Sequence, residues 1–179
     1  MGIAQAQQDI RDVYHGGFYG QLVSGAVWLL AAAVWVVVSP AAGIVSLLAG
    51  GVLIFPLTTL SLKVAGGPPT LPSGHPMAAL AIQIAFTVPL GLLVAVAAAG
   101  YRERWFFPAS MVIVGAHYLP FVFLYGMTLF AVLSGVLVLG GVALALWVSA
   151  PPSFGGWMTA TVLIVFAFLL RSSANLRQS

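Results

Sequence analysis

The stretch FFPASMVIVGAHYLPFVFLYGMTLFAVLSGVLVLGGVALALWVS, residues 106–149, decides how this chain folds. It contains no Asp, Glu, Lys or Arg, and as one helix it would run about 66 Å at 1.5 Å per residue. The hydrocarbon core of a bilayer is about 30 Å thick, so the stretch is about twice as long as one membrane crossing needs. It must therefore turn, and Gly126 is the best place for the turn. The stretch predicts two membrane-spanning helices, over 106–125 and 127–149.

The rest of the chain has the same apolar character. Of its 179 residues, 61% are hydrophobic and only 5% are charged, and its mean hydropathy is +1.11. Soluble domains carry about 25% charged residues, so a bilayer is the solvent that fits this composition. Further apolar stretches long enough to span a membrane occur at 21–38, 42–62, 77–99 and 154–170. The charged residues all lie outside these spans, as the cost of about 2.5–3.5 kcal/mol for an intramembrane charge requires.

These spans predict an all-α fold, a polytopic transmembrane bundle of six helices in a single domain over 1–179. An even number of spans places both termini on the same side of the membrane. That side holds four of the six basic residues, namely Arg11, Lys63, Arg171 and Arg177. Because short cytoplasmic segments are enriched in Lys and Arg, the sequence predicts cytoplasmic termini. Residues 1–19 form either a short interfacial helix on the cytoplasmic leaflet or a frayed, solvated segment, and the sequence leaves both open.

Polar side chains inside the first four spans mark the candidate site. Prolines accompany three of these spans, and each proline removes one helical hydrogen bond. We expect the polar residues to line a pocket that opens to the cytoplasmic side, with the histidine at its deep end. The candidate ligand-binding residues are Gln21, Ser24, Thr58, Gln83, Thr87, His117, Tyr118 and Tyr125.

Each of these residues also has a purely structural interpretation. Ser and Thr in membrane helices commonly bond to their own helix or hold two helices together. For His117, the structural interpretation is a neutral ring that donates one N–H to a neighbouring helix, because burial disfavours the charged imidazolium. The functional one is ligand or proton handling. The remaining histidines, His15 and His75, are expected at the interface and in solvent respectively.

Several chemistries find no support in the sequence. The spans contain no carboxylate, no HExxH or Cys/His cluster, no G-x-S-x-G and no phosphate-binding loop, so we assign no catalytic residue, metal site or cofactor. The basic residues are scattered, which excludes a nucleic-acid footprint. An enzymatic role is therefore the less favoured interpretation.

Four segments resemble those of a family of small bacterial multi-span membrane proteins of unknown function. They are GGFYGQLVSG (16–25), IFPLTTLSL (54–62), QIAFTVPL (83–90) and VGAHYLPFVFLYGM (114–127). The resemblance implies a bacterial multi-span fold, and it implies no activity, cofactor or site residue.

The function that these features favour is binding, and transport as a further step, of a small polar or amphipathic molecule from the cytoplasmic side. The first alternative is an accessory or scaffold subunit of a larger membrane complex. The second is an intramembrane enzyme that uses His117 as acid or base. Membrane lipids and a small-molecule ligand are the expected partners, and a homo-oligomer or larger complex stays open. The expected location is the bacterial inner membrane.

Overall fold

A computed structural model describes residues 2–68 and 70–176, and in that part of the chain all regular structure is helical. The helices are α1 (Ile3–Val13), α2 (Phe18–Val37), α3 (Pro40–Val64), α4 (Ala78–Tyr101), α5 (Phe106–Tyr125), α6 (Leu129–Leu146) and α7 (Phe154–Leu176). The six helices from α2 to α7 are long and apolar enough to cross a membrane. The chain is therefore an all-α, multi-pass integral membrane protein, as its composition predicts.

The ends of the helices follow from local chemistry. Ser39 caps α3, because its Oγ accepts a hydrogen bond from the backbone N–H of Ala42 at 3.1 Å, and Pro40 takes the first helical position. Gly126 follows α5 with φ +65°, the left-handed conformation that glycine adopts most readily. The turn predicted at this glycine is confirmed. The last helix continues past the predicted end at residue 170, because a helix can run beyond the apolar segment into water.

Close helix contacts hold the centre of the bundle together. Helix α2 packs against α3 and α7, and α5 packs against α4 and α6. A Cβ built at Gly141 of α6 would lie 2.7 Å from the backbone oxygen of Pro108 of α5. A Cβ built at Gly43 of α3 would lie 2.7 Å from the Cβ of Trp35 of α2. Glycine thus lets these helix backbones approach more closely than larger residues would allow.

Burial is uneven among the six spanning helices. In the most apolar 18-residue segment of each helix, 44% of the residues of α2 and α5 are buried, against 11% for α3 and 17% for α4. Helices α2 and α5 therefore form the centre of the bundle. Helices α3 and α4 lie at its edge and expose long apolar faces to the membrane.

One end of the bundle carries most of the extramembrane structure. The turn His15–Gly17 joins α1 to α2, and a Cβ built at Gly16 would lie 2.8 Å from the Cβ of Ala174 near the end of α7. We call this the α1 end: it comprises α1, the connection between α3 and α4, Gly126 and the last turns of α7. The beginning of the chain and the end of α7 thus lie together.

Candidate functional site

Three of the predicted site residues meet between α2 and α5. Gln21 and Ser24 are spaced by three residues on α2, so they share one helical face, and both are buried. That face meets Tyr118 of α5, which is also buried, and the side chains of Gln21 and Ser24 interact with its hydroxyl group. A polar contact thus joins the two central helices of the bundle.

Tyr125 extends this contact toward the α1 end. It lies two helical turns after Tyr118, and the two tyrosine rings pack on the same phenylalanines. The ring centroids of Tyr118 and Tyr125 lie 6.2 Å and 4.9 Å from that of Phe130, and each lies 5.5 Å from that of Phe121. We call Gln21, Ser24, Tyr118 and Tyr125 the inner cluster. Hydroxyl and amide groups lie there beside an aromatic surface.

The inner cluster has hydrogen-bonding capacity to spare. Gln21 is 3% exposed, and its Oε1 has no hydrogen-bond partner among the described residues. The Oγ1 of Thr58 on α3 likewise has no hydrogen-bond partner among the described residues. Thr58 lies close to α2, because a Cβ built at Gly20 would lie 3.9 Å from its methyl group. A buried acceptor without a partner costs about 1–3 kcal/mol. The O–H or N–H of a bound molecule, or of a water, would remove that cost.

A second polar contact joins α4 and α5. The Oγ1 of Thr87 donates to the backbone oxygen of Ile84 at 2.7 Å and lies 3.2 Å from Nδ1 of His117. A hydroxyl has one hydrogen, so Thr87 accepts the second bond and Nδ1 of His117 carries the proton that is donated. The Nε2 of the neutral ring is then an acceptor. The structural interpretation of His117, an N–H donated to a neighbouring helix, fits this contact.

His117 adjoins the inner cluster through its ring. Its centroid lies 5.4 Å from that of Tyr118 and 4.9 Å from that of Phe121. Gln83, by contrast, lies one turn before Thr87 on the exposed face of α4. The structure therefore groups Gln21, Ser24, Tyr118 and Tyr125. Thr87 and His117 contact each other beside this group, and Thr58 lies against α2. Gln83 lies outside it.

Two hydroxyl groups near Thr58 bond to the backbone of their own helix, as the structural interpretation predicts. Thr59 Oγ1 donates to the backbone oxygen of Phe55 at 3.0 Å, and Ser61 Oγ donates to that of Leu57 at 2.8 Å. Both bonds stay within α3. Ser61 also borders an open cleft of about 490 Å³ between α2 and α3, which is lined by Tyr19, Leu60, Ser61, Val64 and Ala65.

Helix α1 covers the inner cluster at the α1 end. Gln7 Nε2 donates to the backbone oxygen of Phe123 at 2.6 Å, and Arg11 Nη1 donates to that of Tyr125 at 2.6 Å. These carbonyls belong to the last turn of α5, where no helical N–H is left to bind them. Ala6 and Ile10 are buried on the same side of α1. Residues Ile3–Val13 are thus a helix that packs on α5, and its place on the cytoplasmic leaflet stays a prediction.

Sequence reasoning missed a buried histidine beside α1. His75 was expected in solvent, and that expectation is wrong, because its side chain is 1% exposed. Its Nδ1 accepts a hydrogen bond from the backbone N–H of Met77 at 3.2 Å, and its Nε2 lies 3.7 Å from a carboxylate oxygen of Asp9. Nearby Tyr14 interacts with the backbone of Leu71, and burial raises the pKa of this tyrosine above its usual value. A polar loop sequence alone gives no sign of this contact.

The polar groups of the site are an amide, hydroxyls and an imidazole. Residues 2–68 and 70–176 hold no group of three or more His, Cys, Asp or Glu side chains placed to share a metal ion. The described contacts of His117 are with Thr87, the backbone of Ile84 and two aromatic rings. They supply neither a carboxylate nor an activated nucleophile.

The chain matches a known protein family. The sequence model of a family described as a family of unknown function (DUF7010) matches residues 3–173, which run from α1 through most of α7. No curated protein and no solved structure gives a significant match.

Proposed function

This chain belongs to that family of unknown function (DUF7010), and from its site we propose that it binds a small polar or amphipathic molecule in the inner cluster. The observation that carries the proposal is the buried Oε1 of Gln21, which has no hydrogen-bond partner among the described residues. Buried polar groups are nearly always paired, so this oxygen calls for a donor from outside the chain.

The chemistry of the cluster defines the class of ligand. The cluster contains amide and hydroxyl groups but no Asp, Glu, Lys, Arg or His, so a neutral O–H or N–H donor suits it better than an ion. The rings of Phe121 and Phe130 lie beside these groups and suit an apolar body. An uncharged molecule with a hydroxyl or amide group on an apolar frame combines both features.

Access is proposed from the α1 end. Helix α1 covers this end, and Gly16 and Gly17 connect it to α2 with φ +66° and +90°, a conformation that few other residues adopt readily. Rotation at these glycines would move α1 away and open the cluster. Transport would need a second opening at the other end of the bundle, and binding needs only this one.

The proposal also states which end of the bundle faces the cytoplasm and which membrane the protein spans. Arg11 and Arg171 lie on elements of the α1 end, and Lys63 lies in the last turn of α3 beside it. Arg102 and Arg104 lie between α4 and α5 at the other end. Among the described residues, three basic residues at the α1 end against two at the other end favour a cytoplasmic α1 end. The bacterial inner membrane is the location proposed, since the resemblance found in the sequence is to bacterial proteins.

A ligand-retention experiment tests the binding proposal. The protein is purified in mild detergent, and bound molecules are identified by native mass spectrometry. Gln21→Leu is close in volume and removes the whole amide, both its unpaired acceptor and its contact with Tyr118. We expect affinity for the co-purified molecule to fall at least about 2- to 13-fold, the value of one neutral hydrogen bond.

The matched control is Gln8→Leu, which makes the same change on the exposed face of α1 and should leave retention unchanged. Equal retention by Gln21→Leu and the wild type would contradict the proposal. So would a wild-type protein that holds only ordered water at Gln21.

One observation favours the alternative of an accessory subunit. Helices α3 and α4 are far less buried than the other spanning helices, which leaves room for a partner protein. Recovery of a different protein in fixed stoichiometry, with no small molecule retained, would support this alternative over ligand binding.

A further inference from the structure

The outer face of α4 carries a regular apolar pattern. Its members recur at alternating intervals of four and three residues, and all are exposed: Ala79, Gln83, Phe86, Leu90, Leu93 and Ala97. This is the heptad spacing with which one helix packs along another. The face contains no charged residue, so it can lie against a second helix within the membrane.

Gln83 is the one strongly polar residue on this face. It is the sixth residue of α4, about 7.5 Å along the helix from its start, and apolar residues surround it in the sequence ALAIQIAF. Acyl chains offer neither donors nor acceptors, so an amide exposed to them loses the hydrogen bonds it would have in water. A lipid therefore covers Phe86 and Leu90 well and leaves Gln83 without a partner.

We propose that the outer face of α4 binds a second copy of this chain, with Gln83 of each copy hydrogen-bonded to Gln83 of the other. A two-fold axis along the membrane normal places the same residue of both copies at the same depth. An amide suits this position because it both donates and accepts, so two identical amides satisfy each other. A single polar residue in a heptad seam also fixes the register of the two helices.

The contact is separate from the inner cluster. Gln83 lies on the outside of α4, whereas the inner cluster lies between α2 and α5. Loss of ligand binding at Gln21 therefore leaves the contact between copies untouched, and the two proposals fail or succeed independently.

Disulfide cross-linking in native membranes tests the arrangement. The chain has no cysteine, so Leu90→Cys introduces a single thiol in the middle of the seam. We expect mild oxidation to give a covalent dimer in high yield. The matched control is Val52→Cys on α3, which is 69% exposed but lies outside the proposed seam, and it should give little dimer. Equal yields at the two positions would show random collision and overturn the proposal.

The role of the amide is tested by dilution in mild detergent. Gln83 is exposed, so Gln83→Leu should leave the monomer folded, and we expect it to raise the dimer dissociation constant about 3- to 30-fold, the value of an intramembrane polar contact. Gln83→Asn keeps an amide and should retain more of the dimer than Gln83→Leu does. A monomeric wild-type protein, a dimer insensitive to Gln83→Leu, or a different protein bound to this face would each overturn the proposal.

Discussion

The bond between His117 and Thr87 is a side-chain hydrogen bond between two helices. It joins α4 to α5, and the buried residues of α4 are few, namely Ile84, Leu92 and Ala95. In hydrocarbon neither water nor lipid replaces a lost partner. A ring nitrogen and a hydroxyl therefore contribute to holding a peripheral helix against the centre of the bundle.

Two substitutions at His117 separate hydrogen bonding from ionisation. His117→Gln keeps a donor and an acceptor, so we expect near-normal stability and ligand retention. His117→Leu removes both and should lower the free energy of unfolding by about 0.6–2 kcal/mol, as measured by equilibrium unfolding in mixed micelles. If His117 handles protons, His117→Gln will fold normally and yet lose function.

The partner residue supplies the control for this prediction. Thr87→Val combined with His117→Leu should cost little more than His117→Leu alone, because both remove the same bond. Thr161→Val serves as the comparison, since Thr161 bonds to the backbone of Trp157 in its own helix. A His117→Leu variant that equals the wild type in stability and retention would make the histidine incidental.

Side chains of the site were predictable where helical spacing alone decides their direction. Gln21 with Ser24, and Tyr118 with Tyr125, each recur on one helical face, so their joint burial follows once two helices meet. The position of Gln83 was not predictable in this way, because it depends on which side of α4 meets α5. The burial of His75 depends on where α1 packs, and no local sequence pattern indicates the packing partner of α1.

Among the elements, α5 and α6 pack closely through glycine. These are the two helices of the apolar stretch 106–149, and a short turn after Gly126 sets them side by side. Cβ atoms built at Gly115 and Gly141 would lie 3.0 Å and 2.7 Å from backbone atoms of the opposite helix. Because backbone cannot move aside as a flexible side chain does, the contact excludes even one methyl group.

Alanine substitution in α6 tests this reasoning with an internal control. Gly141→Ala should push α5 and α6 apart and lower the free energy of unfolding by about 1–3 kcal/mol, the usual cost of overpacking. Gly135→Ala lies on the same helix with no neighbour within 4 Å of the new Cβ, and it should be neutral or stabilising by about 0.5–1 kcal/mol. Equal melting temperatures for the two variants would contradict the proposed contact.

The elements themselves were predictable because length and hydropathy are sufficient for membrane helices. A charge-free stretch of 44 residues must turn, and glycine supplies the turn. Helix α1 is the instructive exception. Its spacing permits a helix, but its attachment relies on Gln7 and Arg11 reaching two free carbonyls of α5. Long-range bonds of this kind leave no periodic signal in the sequence.

At the scale of the whole molecule, the distribution of aromatic and basic residues gives the bundle a direction. Trp105 and Trp147 lie at the end away from α1, and Arg102 lies over the ring of Trp105 at 5.3 Å. At the α1 end, Arg171 lies over the ring of Phe18 at 4.6 Å. Cations on aromatic rings suit both membrane interfaces, so the two ends mark the limits of the hydrocarbon. We propose that the α1 end faces the cytoplasm, because it carries more of the described basic residues than the other end does.

Accessibility of single cysteines decides both the number of spans and the orientation. Ser73 and Glu103 are both exposed, and α4 separates them, so they should lie on opposite sides of the membrane. With a membrane-impermeant maleimide, we expect Ser73→Cys to react only from the cytoplasm and Glu103→Cys only from outside. Ser179, which lies outside the described residues, should react like position 73. Reaction of positions 73 and 103 from the same side would exclude the six-span fold. If Ser73→Cys reacts only from outside and Glu103→Cys only from the cytoplasm, the six-span fold stands but its orientation is reversed. The proposed binding site would then lie on the outer face of the membrane.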